Sequence, residues 1–225
     1  KMKYLQLDQG KGSFFEYSGS EKEGFEKFES NSGNISYRKY YPKGVDGVLE
    51  SVSLADGKFG KQIQVGVRAT DDVHLFQLDV YDQKDNVSTF AEELIKFLPN
   101  MNKGAEISFN SYNFVPEGEQ YSRRGFSIKV DGEKLNRALS NSYYKKEDGS
   151  LVEGDIPAIK WVKKLDKNKP SLASLEAKND YLLDVLSKET DRLKFVKDSS
   201  YTPNTEKPKA QAVEVDVDDD GSLPF

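Results

Sequence analysis

The strongest constraint on this fold is a run of strict alternation from Phe59 to Ala69. Ile63, Val65, Val67 and Ala69 fall on one face, and Gln62, Gln64, Gly66 and Arg68 fall on the other. Successive side chains of a strand point to opposite faces, so a period of two specifies a half-buried strand and not a helix. Turn signals bracket the run, Asp56-Gly57 before it and Thr70-Asp71-Asp72 after it. Val45–Leu54 reads as the preceding strand, and Val73–Tyr81 as the following one, burying Phe76, Leu78 and Val80. The period then lengthens. Phe90, Leu94, Phe97 and Leu98 recur at helical spacing, Thr89 and Glu92 are placed as a capping box, and Pro99 stops the run. Ala105–Val115 and Tyr121–Val130 are two further strands, joined by Pro116–Gln120 and closed by Asp131-Gly132.

Three strands, one helix and two strands is the element order of the OB-fold, a five-stranded Greek-key barrel with its helix between the third and fourth strands. The chain is therefore expected to be mainly β, with that barrel at 44–132. Residues 1–43 read as an N-terminal arm. A short edge strand is expected at Tyr4–Leu7 and an irregular stretch from Lys11 to Asn34, which Phe25 and Phe28 could anchor. Residues 133–198 read as an extension. It has a helical turn at Glu133–Asn141, a loop or hairpin tip at Tyr143–Gly149, a short strand at Ile156–Lys164 with the only tryptophan, and a helix from Ser171 to about Lys197. In that helix Leu172, Leu175, Leu182, Leu186 and Leu193 keep near-heptad spacing, interrupted at Asn179 and Glu189. Packing on the barrel is the expected role, and homo-oligomerisation through this face is the alternative. Residues 199–225 lose all periodicity and read as a linker feeding a disordered acidic tail.

Enzymatic readings find little support. There is no cysteine, and His74 is the single histidine, placed within a strand pattern. No phosphate-binding loop, nucleophile elbow or zinc-protease motif is present. Asp71, Asp72, Asp79 and Asp82 are better explained by turns and strand ends than by a magnesium site. The expectation is a non-enzyme without cofactor or metal. No apolar run reaches membrane-spanning length, so no membrane partner is expected and the cytoplasm is the default location.

Binding readings fare better. Tyr37, Arg38, Lys39 and Tyr40 interleave rings with cations, a composition that suits a sugar-phosphate backbone with stacked bases or, more plainly, an edge strand. The turn between the first two barrel strands offers Lys58, Phe59 and Lys61, and the second strand adds Arg68. The last hairpin offers Tyr112, Tyr121, Arg123 and Arg124. These positions lie in the regions an OB-fold uses to hold oligonucleotides.

Charge is distributed unevenly along the chain. The formal net charge is −5, and the last sixteen residues hold five acids and no Lys or Arg, so the rest is balanced. Asp218, Asp219 and Asp220 are followed by Leu223, Pro224 and Phe225. An acidic run closing on Leu-Pro-Phe resembles the protein-interaction tip of bacterial and phage single-stranded DNA-binding proteins. Gly221-Ser222 between acids and tip, and Leu223 where isoleucine is usual, depart from that pattern. The resemblance implies a divergent, phage-type member that coats single-stranded DNA in the bacterial cytoplasm with little sequence preference during replication, recombination and repair. It implies a tip that docks polymerase-, helicase-, primase- or nuclease-type partners. A recombination mediator or annealing protein, or a β-barrel adaptor that binds no nucleic acid, is the alternative.

Overall fold

A computed structural model describes residues 1–57, 60–70, 72–164 and 167–194. The chain is mainly β with a helix near the end of the described residues. Four strands, β1 (Met2–Asp8), β2 (Ser13–Ser18), β3 (Glu26–Glu29) and β4 (Ile35–Tyr41), precede the segment that alternates so clearly. That segment supplies β5 (Val45–Gly57), β6 (Gly60–Ala69), β7 (Asp72–Asp79), the helix α1 (Thr89–Ile95), β8 (Glu106–Phe114) and β9 (Arg123–Val130). With β10 (Glu133–Lys134), these strands form one ten-stranded sheet in the order β10-β9-β8-β5-β6-β7-β1-β2-β4-β3. Every pairing in it is antiparallel except β1 with β7, which run parallel from Met2↔Val73 to Gln6↔Gln77.

The sheet curls until the start of β2 reaches the end of β8. Ser111 Oγ donates to the Gly12 carbonyl at 3.0 Å, and Asn113 Nδ2 donates to the Gln9 carbonyl at 2.8 Å. Gly12 has φ +59, and a Cβ there would stand 2.0 Å from the Asn113 backbone nitrogen. Only glycine tolerates both the backbone conformation and the contact. Inside the curl four rings meet: Phe14 edge-on to Phe76 at 4.7 Å, Phe76 edge-on to Phe109 at 4.8 Å, and Phe109 stacked on Phe126 at 5.3 Å.

The stretch from Lys11 to Asn34 is not irregular, because β2 and β3 lie within it. Phe14 enters the core and Phe15 is buried against Tyr40 on the opposite face, so both faces of β2 are covered and no alternation shows. The strand expected as the third of a five-stranded barrel, β7, borders β1 within the ten-stranded sheet. The α1 cap is Ser88, whose Oγ accepts from the Ala91 N–H at 3.2 Å, and not Thr89, which is already helical. The helix ends at Ile95, and Pro99 sits in a following 3-10 turn, Leu98–Asn100. The helical turn expected at Glu133–Asn141 is absent; β10 pairs there with β9 instead. The strand expected over Ile156–Lys164 is confined to β13 (Trp161–Lys164), which forms a separate ribbon with β14 (Lys167–Pro170). The hairpin tip expected around Tyr143–Gly149 is the ribbon of β11 (Tyr143–Lys145) and β12 (Leu151–Glu153).

The helix α2 (Leu172–Leu193) packs on β5 and α1 and buries Leu182, Leu186 and Leu193 in the core. Three leucines of the heptad pattern are thereby committed within the chain.

His74 lies on the inner side of β7, buried, with no hydrogen bond to Nδ1 and the Tyr41 ring edge-on at 5.7 Å. Burial, and then the Lys3 charge, pull its pKa below the usual 6.5. Asp72 and Glu16 oppose that shift, while burial and Glu16 push Tyr41 up to about 12. A lowered histidine pKa favours the neutral form in the fold. This contribution is therefore complete above 6.5 and is lost as pH falls through 6.5 towards the folded value. The thermal midpoint should drop across that window, and His74→Phe should flatten the drop. An identical acid profile in the variant would exclude His74 as its source.

Candidate nucleic-acid interface

Cross-strand register places one face of β6, β7, β1, β2 and β4 on the outside of the curl. Pairings Gly66↔Leu75, Leu75↔Tyr4 and Tyr17↔Arg38 set one row across that face, with Tyr4 opposite Tyr17 one step beyond the Leu5↔Glu16 pair. The next row runs Gln64, Gln77, Gln6, Phe15, Tyr40. Tyr4 and Tyr17 are 54% and 56% exposed, which leaves ring faces open to a ligand. The neighbouring amides are neutral donors and acceptors, and Gln6, Gln9, Gln62, Gln77 and Asp79 line a cleft of about 140 Å³ beside them.

At the β2–β4 end of these rows the rings and cations are already assembled. The Arg38 guanidinium lies 3.3 Å from the Phe28 centroid and 4.3 Å from that of Phe15. Lys11 Nζ sits 3.9 Å over Tyr40, whose hydroxyl donates to Asp8 at 2.9 Å. Asp8 also accepts from Arg38 at 3.4 Å. Cations over ring faces are attracted by the ring quadrupole, so these contacts hold the Arg38 and Lys11 side chains against the rings.

Arg38 and Tyr40 belong to this cluster. Tyr37 and Lys39 alternate onto the other face of β4, Tyr37 half-buried and Lys39 exposed. Arg68 is on the outer face, ion-paired to Glu50. Lys61 is exposed at the start of β6, opposite Asp56, while Lys58 and Phe59 lie outside the described residues. In the β8–β9 hairpin, Tyr112, Phe114 and Arg123 share a face, with the Tyr112 and Phe114 rings 5.8 Å apart. Arg123 is held by Glu119 at 2.7 Å. Arg124 alternates to the other face, exposed, and Tyr121 is 61% exposed in the loop that joins β8 to β9. Asp218, Asp219, Asp220, Leu223, Pro224 and Phe225 lie outside the described residues.

Sequence reasoning passed over Tyr4, Phe15, Tyr17 and Lys11. Phe15 and Tyr17 share one face of β2, but Phe14 beside them, buried on the other face, hides that spacing in the sequence. The aspartates considered for a metal have other partners. Asp72 pairs with Lys3 at 2.5 Å, Asp79 accepts from Gln62, and Asp82 accepts the Lys84 and Asn86 amides of its own turn. Asp71 lies outside the described residues. Among the described residues no helix is long and apolar enough to cross a membrane. Compared with known proteins, the chain matches no family model, no curated protein and no solved structure at a significant level.

Proposed function

We propose that the chain is a non-catalytic, OB-type single-stranded DNA-binding protein of the bacterial or phage kind. The outer face of β6, β7, β1, β2 and β4 carries the strand. The acidic segment with Leu223-Pro224-Phe225 recruits replication and repair partners. The observation that carries this reading is the exposed Tyr4–Tyr17 pair, set between a neutral amide row and a cluster of ring-stacked cations. Bases stack on open rings regardless of sequence, and Lys and Arg follow the phosphates.

Fluorescence anisotropy with labelled oligo(dT) and with duplex of equal length tests the proposal. Binding should favour the single strand and weaken steeply with salt. Tyr17→Ala and Tyr4→Ala should each weaken oligo(dT) binding by about 1–3 kcal/mol while leaving the thermal midpoint unchanged. Equal affinity for duplex and single strand would refute it.

One observation favours the adaptor reading instead. Arg38, Arg68 and Arg123 already pair with Asp8, Glu50 and Glu119. A polypeptide-binding face would show no oligo(dT) affinity in the same titration.

A further inference from the structure

The eleven residues Lys160–Pro170 carry five lysines and one aspartate, the steepest local positive charge in a chain of net charge −5. They also carry the only tryptophan. The β13–β14 ribbon forms its own two-stranded sheet, in the register Trp161↔Pro170, Val162↔Lys169 and Lys163↔Asn168. Alternation puts Trp161 and Lys163 on one face, with Asn168 and Pro170 opposite them. The indole is 62% exposed, and Lys160, Lys163 and Lys169 are exposed too.

An exposed ribbon need not be a mobile one, and this one is fixed at its base. The Ser171 N–H donates to the Lys160 carbonyl at 2.7 Å, and the Lys160 N–H donates to Ser174 Oγ at 2.9 Å. Ser174 Oγ in turn donates to the Ser171 carbonyl at 2.9 Å. Ser174 is in α2, which the buried Leu182, Leu186 and Leu193 hold to the core. The ribbon thus presents a large ring and a set of cations from a rigid mount. Burial is the favoured state of such a ring, and leaving it out beside like charges marks a surface that meets something. A single nucleic-acid strand supplies both complements, bases for the indole and phosphates for the lysines.

We propose that the β13–β14 ribbon is a second single-strand contact site, in which Trp161 stacks a base and Lys163, on the same face, holds a flanking phosphate. This rests on the single-strand-binding function proposed above and adds a site outside the curled sheet. Trp161 reports on it directly, because its emission can be excited at the red edge, where tyrosine does not absorb. The full chain is titrated with oligo(dT), following Trp161 emission and the anisotropy of an end-labelled oligo(dT) in parallel. Emission should be quenched and should saturate with the anisotropy. Trp161→Ala should weaken binding by roughly fivefold or more, the loss of one stacked base. Lys163→Gln should make the slope of log affinity against log salt shallower by about 0.7, one single-strand phosphate contact. All these side chains are exposed, so melting should not change.

Anisotropy that rises while emission and salt slope stay unchanged would place the ribbon off the path and overturn the inference alone. No anisotropy change would overturn the function and the inference together. Emission that responds to salt but not to DNA would assign the ribbon to the chain's own acidic segment, and would also overturn the inference.

Discussion

Deleting residues 1–43 should leave a chain that no longer unfolds cooperatively. The segment supplies four of the ten strands, and β1 occupies the edge of β7 through five register pairs. Without it β7 offers an unpaired edge, a template for association between chains. The interior suffers as well. Leu5 and Phe14 are both fully buried, and the Phe14 ring covers Phe76, Phe109 and Phe126. Truncating one such ring to alanine costs about 3–5 kcal/mol, against a total stability of roughly 5–15 kcal/mol. Phe14→Ala should therefore lower the melting midpoint severely, and the deletion should remove the transition altogether. Circular dichroism and calorimetric melts measure both. A truncated chain with a sharp transition near that of the full chain would return residues 1–43 to the role of an arm.

The arm expectation shows which parts of this fold can be read from residues. The β6 run was legible because one of its faces meets the core and the other meets solvent, which writes a period of two into the sequence. The β2 run Ser-Phe-Phe-Glu-Tyr-Ser was not legible. Phe14 belongs to the core, while Phe15 belongs to a second layer closed by Tyr40 and Arg38. Two covered faces leave no alternation to find. The interruptions in α2 have a similar origin. Asn179 Oδ1 accepts the Val87 N–H at 3.1 Å. Glu189 holds Arg192 at 2.6 Å while Arg192 donates to the carbonyls of Leu98 and Met101. The positions that spoil the heptad are therefore among those that fix the helix to the body.

The candidate site was legible in composition and not in assembly. Rings mixed with cations could be seen at Tyr37–Tyr40. The pairing of Arg38 with Asp8 and the alignment of Tyr4 with Leu75 depend on strand neighbours far apart in sequence. The parallel β1–β7 pairing, which builds the outer face, leaves no local mark at all. Local patterning specifies which face of a strand is buried, but which strand lies alongside is decided by closing the core.

Glu93→Ala should destabilise the fold by about 3 kcal/mol, far more than a surface charge change does. Its partner Lys96 is 2% exposed and almost wholly desolvated. Lys96 Nζ bonds Glu93 Oε1 at 2.5 Å and Asn141 Oδ1 at 2.6 Å, with Glu92 at 3.6 Å. Glu93 also takes Arg137 at 2.7 Å, and Glu92 takes Lys178 at 2.8 Å, so this group ties α1 to α2 and to the segment after β10. Removing Glu93 leaves a buried ammonium with one amide oxygen and a distant carboxylate, and the desolvation cost of the charge is then poorly offset. The double variant Lys96→Met with Glu93→Gln removes both charges, and it should recover much of the loss because a buried apolar side chain of similar size carries no such cost. Denaturant unfolding of the three proteins tests this, read as a shift in midpoint at constant m. A loss of only about 0.5 kcal/mol for Glu93→Ala, the scale of an exposed pair, would show that water reaches Lys96 and that α1 is held by its apolar face alone.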